Sequence, residues 1–391
     1  MLASRGRIAK MGKPTYYEFF AGGGMARAGL GESWRCLFAN DFDAKKAAAY
    51  RDNWGGDEFF LGDVRKIETS QLPGVADLVW ASFPCQDLSL AGRGAGLAGE
   101  RSGSFWPFFD LVRGLRQEGR APRLLAFENV CGTLTSHGGK DFAAICEALA
   151  EEGYRYGALV IDASLFVPQS RPRLFIVAAE ASLAIVPALR AQDPAGPFHP
   201  PRLETALARL SEAARRGWVW WRLVEPHKRN LSLAELVEAR PRDAAWRSEE
   251  ETRALVSLMN ATHRERLAAA QAAGRPVVGA VYRRTRYSPA GEKSQRAEAR
   301  FDGLSGCLRT PAGGSSRQFL LFVEGVRLRS RLISARETAR LMGLPDDYRL
   351  PSGYNDAYHL TGDGVVAPAV RHLSRHLLEP LLHVAAQRRA A

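Results

Sequence analysis

From Thr15 to about residue 180, short apolar runs alternate with helical stretches, and this rhythm limits the fold more than any other feature of the chain. YYEFFAGGG reads as a strand running into a glycine turn, and MARAGLG opens a helix behind it. RCLFAND, ADLVWASFP, LLAFENV and RPRLFIVAA are further strands. DAKKAAAYRDNW, FWPFFDLVRGLRQEG and GKDFAAICEALAEEG are the helices between them. Such alternation predicts an α/β unit with a doubly wound, mostly parallel sheet covered by helices on both faces.

After about residue 185 the rhythm breaks at a proline-rich run, PALRAQDPAGPFHPPRL. RLETALARLSEAARRG reads as helical and WVWWRL as an isolated aromatic strand. A long helix starts near Ser248, where SEEE fits a capping box closed by Glu251. The stretch 275–300 is basic and turn-rich. FLLFVEG then reads as a strand, SARETARLMGL as a helix, and YHLTGDGVVAPAVRHLSRHLLEPLLHVAAQ as a closing strand, loop and helix. A chain of 391 residues suits two or three units. We expect a larger one over 14–185, completed by 354–391, and a smaller one over 186–353.

The net charge is +12, which favours a polyanionic partner. Residues 187–300 hold 21 Lys and Arg against 13 Asp and Glu, so most of the excess sits in the smaller unit. No apolar run is long enough for a membrane span, and the N-terminus lacks the apolar core of a secretory signal. Five scattered cysteines without CxxC spacing indicate neither a zinc site nor a disulfide framework, and a reducing cytoplasm suits them.

Chemistry concentrates at the strand ends. In FFAGGGM, Phe19 to Met25, glycines between strand and helix let a ligand approach the backbone, although such turns are common without one. Asp41 ends the next strand, where an acid grips ribose hydroxyls. Asp63 ends a further segment and is placed for an adenine amino group, so the three together describe an adenosine pocket. Cys85, in SFPCQDLS, follows a strand and a proline; it is either a nucleophile or a buried structural thiol. Glu128 and Asn129 end the strand in FENV, on the sheet edge that carries Cys85, and burial would keep Glu128 protonated. Arg171 and Arg173 in PQSRPR alternate into a strand and share a face, as catalytic cations or as a solvated pair.

In this order the strings resemble the DNA cytosine-5 methyltransferase family, of the bacterial modification type. EFFAGGGMARAGLG, FANDFD, GDV, SFPCQ, FENV, PQSRPR, CLRTPAGGSSRQ and YHLTGDGVV look like its successive motifs over 16–180 and 300–370. The chain departs from the family at Asp363, where Asn is common, and in GGGM, where many relatives carry another residue between the glycines. The Pro-Pro-aromatic segment of amino-methylating relatives is absent; Phe83, Pro84 and Cys85 stand there instead.

The resemblance implies a Rossmann-like, class I S-adenosylmethionine-dependent methyltransferase fold with a smaller target-recognition domain. It implies S-adenosylmethionine as methyl donor, S-adenosylhomocysteine as product and no metal. Cys85 would be the nucleophile, Glu128 the acid, Asn129 its support, with Arg171 and Arg173 at the base or orienting thiol and acid. Phe20, Gly22, Asp41, Phe42, Asp63 and Val64 would hold the donor, with Phe105 and Val365 lining its pocket. The stretch 92–104 would close over a flipped-out base. Gln86 and Ser89 would contact DNA. Within a recognition region of about 186–304, Arg283, Arg284 and Arg286 on a loop would contact bases or phosphates. Trp218, Trp220 and Trp221 read as core of the small unit, and the helix from Ser248 as scaffold. The expected partner is double-stranded DNA in a bacterial cytoplasm, at the nucleoid. A cognate restriction endonuclease is compatible, and one recognition lobe per chain suits a monomer. A tRNA-methylating relative and a catalytically silent DNA binder are the alternative readings.

Overall fold

The structure, a computed structural model, describes residues 12–84, 102–287, 291, 293–309 and 317–383. Its larger sheet comprises β1 (Thr15–Phe19), β2 (Arg35–Asp41), β3 (Phe59–Leu61), β4 (Leu78–Ala81), β5 (Leu124–Val130), β6 (Tyr154–Asp162) and β7 (Pro172–Glu180). They lie in the order β3-β2-β1-β4-β5-β7-β6. Only β7 runs against its neighbours. Helices α1 (Met25–Leu30), α2 (Ala44–Trp54), α3 (Phe105–Gln117) and α4 (Lys140–Glu151) connect the strands.

The strands are apolar on both faces, as a doubly covered sheet requires. In β4, Leu78 and Trp80 face the core shared with α1, while Val79 and Ala81 face the one built with α3 and α4. One rung of the sheet aligns Asn40, Phe19, Ala81 and Phe127. The next residues, Asp41, Phe20, Ser82 and Glu128, therefore emerge together at the carboxyl edge. Because β7 is antiparallel, its first residues reach that same edge, with Arg173 opposite Val130.

The chain from Pro187 to Leu223 does not leave this sheet. It holds β8 (Arg190–Ala191), α5 (Pro201–Ala208), α6 (Glu212–Arg216) and β9 (Trp220–Trp221). Leu203, Leu210 and Ala214 join the core beside α4. Trp221 is buried in the other core, and its indole Nε1 donates to the Val177 carbonyl at 3.0 Å. Gly157 makes this docking possible, since a Cβ there would stand 1.8 Å from the Val219 carbonyl oxygen. The tryptophans expected in the small unit thus belong to the large one, since β6 leaves an open edge for this segment to cover.

Beyond it come α7 (Leu233–Leu236), α8 (Glu249–Ser257), α9 (Ala261–Gln271), β10 (Val277–Tyr287), β11 (Lys293–Arg300), β12 (Gln318–Glu324) and β13 (Arg327–Leu332). The last four strands form an antiparallel sheet in the order β11-β10-β12-β13. The capping box at Ser248 and Glu251 is present. The single long helix expected there is two, because Asn260 caps α9 with a bond from the His263 amide. Arg283, Arg284 and Arg286 lie on a strand rather than a loop: β-branched and aromatic residues carry β10 through them, paired residue by residue with β11.

The chain returns through α10 (Ala335–Leu341), α11 (Tyr354–Asp363) and α12 (Ala367–Leu373). YHLTGD is therefore helical, not a strand; Tyr358 and Thr361 turn inward at helical spacing. Helix α12 packs on α1 on one face of the large sheet.

Candidate active site

The glycine turn after β1 is built from unusual backbone. Phe20 adopts φ 57 and Gly22 φ 55, and only the second is free of side-chain strain. Among the described residues nothing lies within 4 Å of where a Cβ on Gly22 would be, so the turn is open to a ligand. The Gly22 amide donates to Asp41 Oδ2 at 2.8 Å and the Asp43 amide to Oδ1 at 2.9 Å. Asp41 thus pins the turn to the end of β2. Burial pushes its carboxyl up, and Lys46 opposes that shift.

Phe42 follows with 69% of its surface exposed, an uncommon setting for a large apolar ring. An open backbone turn, a pinned acid and a bare aromatic face suit an adenosine-bearing ligand. Asp63 caps the next short turn through the Arg65 amide and pairs with the Arg65 guanidinium, which holds its carboxyl below the ordinary range. Val64 and Val365 are buried beside this region. Phe105 has no surface left: Phe83, Phe108, Phe109 and Phe127 surround it, so it roots α3 instead of lining a pocket. Asp363 finds a partner in Lys46 at 2.7 Å, which ties the end of α11 to α2 beside the turn.

Cys85, Gln86 and Ser89 lie outside the described residues, as do 92–101 of the expected lid and most of the CLRTPAGGSSRQ segment. The approach to Cys85 is described: β4 delivers Ser82, Phe83 and Pro84 to the carboxyl edge. There Glu128 is 6% exposed, and Arg173 Nε meets its Oε1 at 3.0 Å. Burial raises the Glu128 carboxyl, and Arg173 and Arg171 only partly reverse this. Asn129 donates to the Phe83 carbonyl at 3.4 Å and accepts from the Val130 amide, which joins the end of β5 to the Cys85 segment.

Arg171 does something different from Arg173. Wholly buried, it donates to the carbonyls of Leu308, Gly362 and Gly364 at 2.7–2.8 Å and to Cys307 Sγ at 3.3 Å. Its guanidinium is a strut between the two units, so the expected shared catalytic face of Arg171 and Arg173 is not formed. Alternation sets direction only inside a strand, and Arg171 precedes β7.

Three groups escaped the sequence reading because each needs a distant partner. Burial pushes the Cys307 thiol up, and Arg171, Arg173 and Arg309 more than reverse that, leaving it below its ordinary value. Glu18 is buried beneath the glycine turn, and burial lifts its carboxyl to about 8 against the pull of Arg27. Arg331 and Glu337 form a buried ion pair at 2.6 Å that closes the start of α10.

From Ser170, Cys307 and Arg309 a groove of about 920 Å³ runs past Arg284 and Arg300 to Arg266 on α9. It begins one side chain from the Glu128–Arg173 pair, since Cys307 also touches Arg173. Its wall is strongly basic.

A family model described as C-5 cytosine-specific DNA methylase matches residues 15–379. The chain is 27% identical over 375 residues to type II methyltransferase M.BsuFI of Bacillus subtilis, across 95% of this chain and 74% of that protein. It is 26% identical over 374 residues to type II methyltransferase M.HpaII of Haemophilus parainfluenzae, across 94% and 90%. Among solved structures, the Entamoeba histolytica methyltransferase EhMeth matches with a TM-score of 0.63 at 12% identity, over 95% of this chain and 99% of that one. The S. pombe Dnmt2 methyltransferase matches at 0.57 and 14%, over 94% and 99%. The structural matches establish a shared fold: a Rossmann-like sheet of the methyltransferase type with a smaller sheet domain. Since the family match runs through both units, the chain belongs to the C-5 cytosine-specific DNA methylases.

Proposed function

We propose that this chain methylates carbon 5 of one cytosine in a specific duplex DNA site, with S-adenosylmethionine as donor. The observation that carries this reading is the convergence, on one sheet edge, of the open turn pinned by Asp41 with the Glu128–Arg173 pair and the segment that leads into Cys85.

The donor, when bound, supplies an electrophilic methyl group; Phe20, Gly22, Asp41, Phe42 and Asp63 would hold it. The Cys85 thiolate adds to carbon 6 of the cytosine, forming an S–C bond and making carbon 5 nucleophilic. Glu128, whose hold on a proton burial strengthens, donates in its protonated form to ring nitrogen 3 and stabilises the electron pair released into the ring. Arg173 holds Glu128 in place, and Asn129 holds the Phe83 carbonyl, two residues before Cys85. Carbon 5 would take the methyl group as its bond to the donor's sulfur breaks, leaving S-adenosylhomocysteine, and a base would then remove the carbon 5 proton. The electron pair reforms the ring double bond as the S–C bond breaks and Cys85 departs as thiolate. The target must leave the base stack for this geometry to be reached.

The basic groove leading away from Glu128 supports duplex DNA as the substrate. The packing of 187–223 on the large sheet supports a recognition unit that begins after Leu223. The names of the relatives support a modification role, with a cognate endonuclease or alone.

The test is expression of the protein and of Cys85→Ala in a host without cytosine methylation, followed by bisulfite sequencing of the genome. Protection confined to one short motif, absent with the variant, is the expected outcome. Purified Cys85→Ala should keep donor affinity within about tenfold. Unprotected DNA despite folded protein would reject DNA as substrate and favour tRNA.

A further inference from the structure

Alternation along β10 divides its arginines. Arg283 shares a face with the buried Val281 and lies over the Phe319 ring at 5.2 Å, in the core beneath α8 and α9. Arg284 lines the groove and Arg286 the recess that adjoins it. Across the ladder, Glu298 stands opposite Tyr282, on the same face as both. Its Oε2 meets Arg284 Nε at 2.9 Å. Its Oε1 accepts from Arg286 Nε at 3.0 Å and also from Nη2. Arg284 also lies over the Tyr282 ring at 5.3 Å, and the Tyr282 hydroxyl donates to the Cys307 carbonyl at 2.7 Å.

We propose that Glu298 is a specificity-determining positioning residue that presents Arg284 and Arg286 as a fixed pair to the major-groove edges of guanines. The proposal rests on the reading of duplex DNA as substrate. An arginine distinguishes guanine through two parallel bonds to O6 and N7, so its fork must be aimed. A long side chain on an exposed strand otherwise loses rotamer freedom on binding. Glu298 holds Arg284 by its inner nitrogen, which leaves the terminal fork to face the groove. One carboxylate between two guanidinium groups also leaves the trio with a single net positive charge. Phosphate attraction is thereby weakened, so the arrangement favours discrimination over general affinity.

The test uses a pool of DNA duplexes randomised around a central cytosine. Wild type, Glu298→Gln and Arg284→Lys methylate it with S-adenosylmethionine, and bisulfite sequencing reports the base preference at each position. Binding to a non-target duplex is measured in parallel. Wild type should require guanine at defined positions. Arg284→Lys should relax one of them and Glu298→Gln both, by about tenfold or more, with non-target binding equal or tighter. Unchanged preferences in Glu298→Gln would overturn the proposal, as would a uniform loss across all sequences. Should Glu298→Gln fail to fold, unchanged guanine preference in Arg284→Lys overturns it instead. A wild type that binds and methylates no duplex overturns the substrate reading, and this pairing with it.

Discussion

Charged groups are handled oppositely at the edge of the large sheet and on the β10–β11 pair. At the edge two buried charges are answered by backbone, Asp41 by the amides of Gly22 and Asp43 and Arg171 by three carbonyls, while Glu128 is answered by Arg173. On β10–β11 they are half-exposed and answered by each other, Arg284 and Arg286 by Glu298. Backbone partners fix a side chain as rigidly as the fold itself, which suits a chemistry with one geometry. Side-chain partners on a strand surface can be exchanged without moving the sheet, which suits a surface that reads sequence. The braces of the sheet edge, Asp41 and Arg171, and the arginines of β10 are thus held by different kinds of bond.

The contrast can be broken most directly at Glu128. Glu128→Gln should lower kcat by about a hundredfold or more while DNA affinity stays unchanged. Wild-type activity should fall as pH rises through the elevated Glu128 pKa, because the protonated form is the active one; the variant should lack that limb. A preserved alkaline limb in single-turnover rates would remove Glu128 from the acid role.

Arg171→Met tests the strut. It leaves three buried carbonyls without their donor and should cost about 3 kcal/mol or more of stability, seen in urea unfolding. A small effect on stability with a large one on kcat would return Arg171 to the catalytic set.

Glu18 gives the contrast a pH signature. Its folded pKa of about 8 lies above its ordinary value, so the folded state binds the extra proton. Its contribution is complete below the unfolded pKa and is lost as pH rises through 8. Glu18→Gln should therefore flatten the fall in Tm between about pH 5 and 8, and an unaltered Tm profile would contradict a protonated Glu18.

The smallest effect separates the arginines of β10. Replacing Arg284 and Arg286 together should reduce the salt slope of DNA binding by up to about two units, less if Glu298 already screens them. Arg283→Met should leave the slope unchanged and lower stability instead. A slope change for Arg283 equal to that for Arg284 would show that β10 does not divide its faces in the complex.

Much of this was legible in the chain. Each run of the large sheet, from YYEFF to RPRLFIVAA, became a strand, and the glycine turn, Asp41 and Glu128 fall at the ends expected of them. The smaller unit was read less well. VYRRTRY looks like a loop because its charges mask a strand whose partner, KSQRAEAR, shows no apolar alternation either. YHLTGD looks like a strand until α11 is seen packing against α10.

Apolar periodicity and turn chemistry act between neighbours, so the sequence by itself determined five strands of the large sheet and the acids at their ends, and left β3 and β6 unread. Which strands pair, and in which direction, depends on contacts between residues far apart. Only the tertiary structure decided that β7 runs backwards and so delivers Arg173 to Glu128, and that Arg171 braces two units. It alone turned Trp221 into the large core and Arg283 away from the groove. These outcomes arise from burying apolar surface while pairing buried polar groups across distant segments, which the chain does as a whole and no segment does alone.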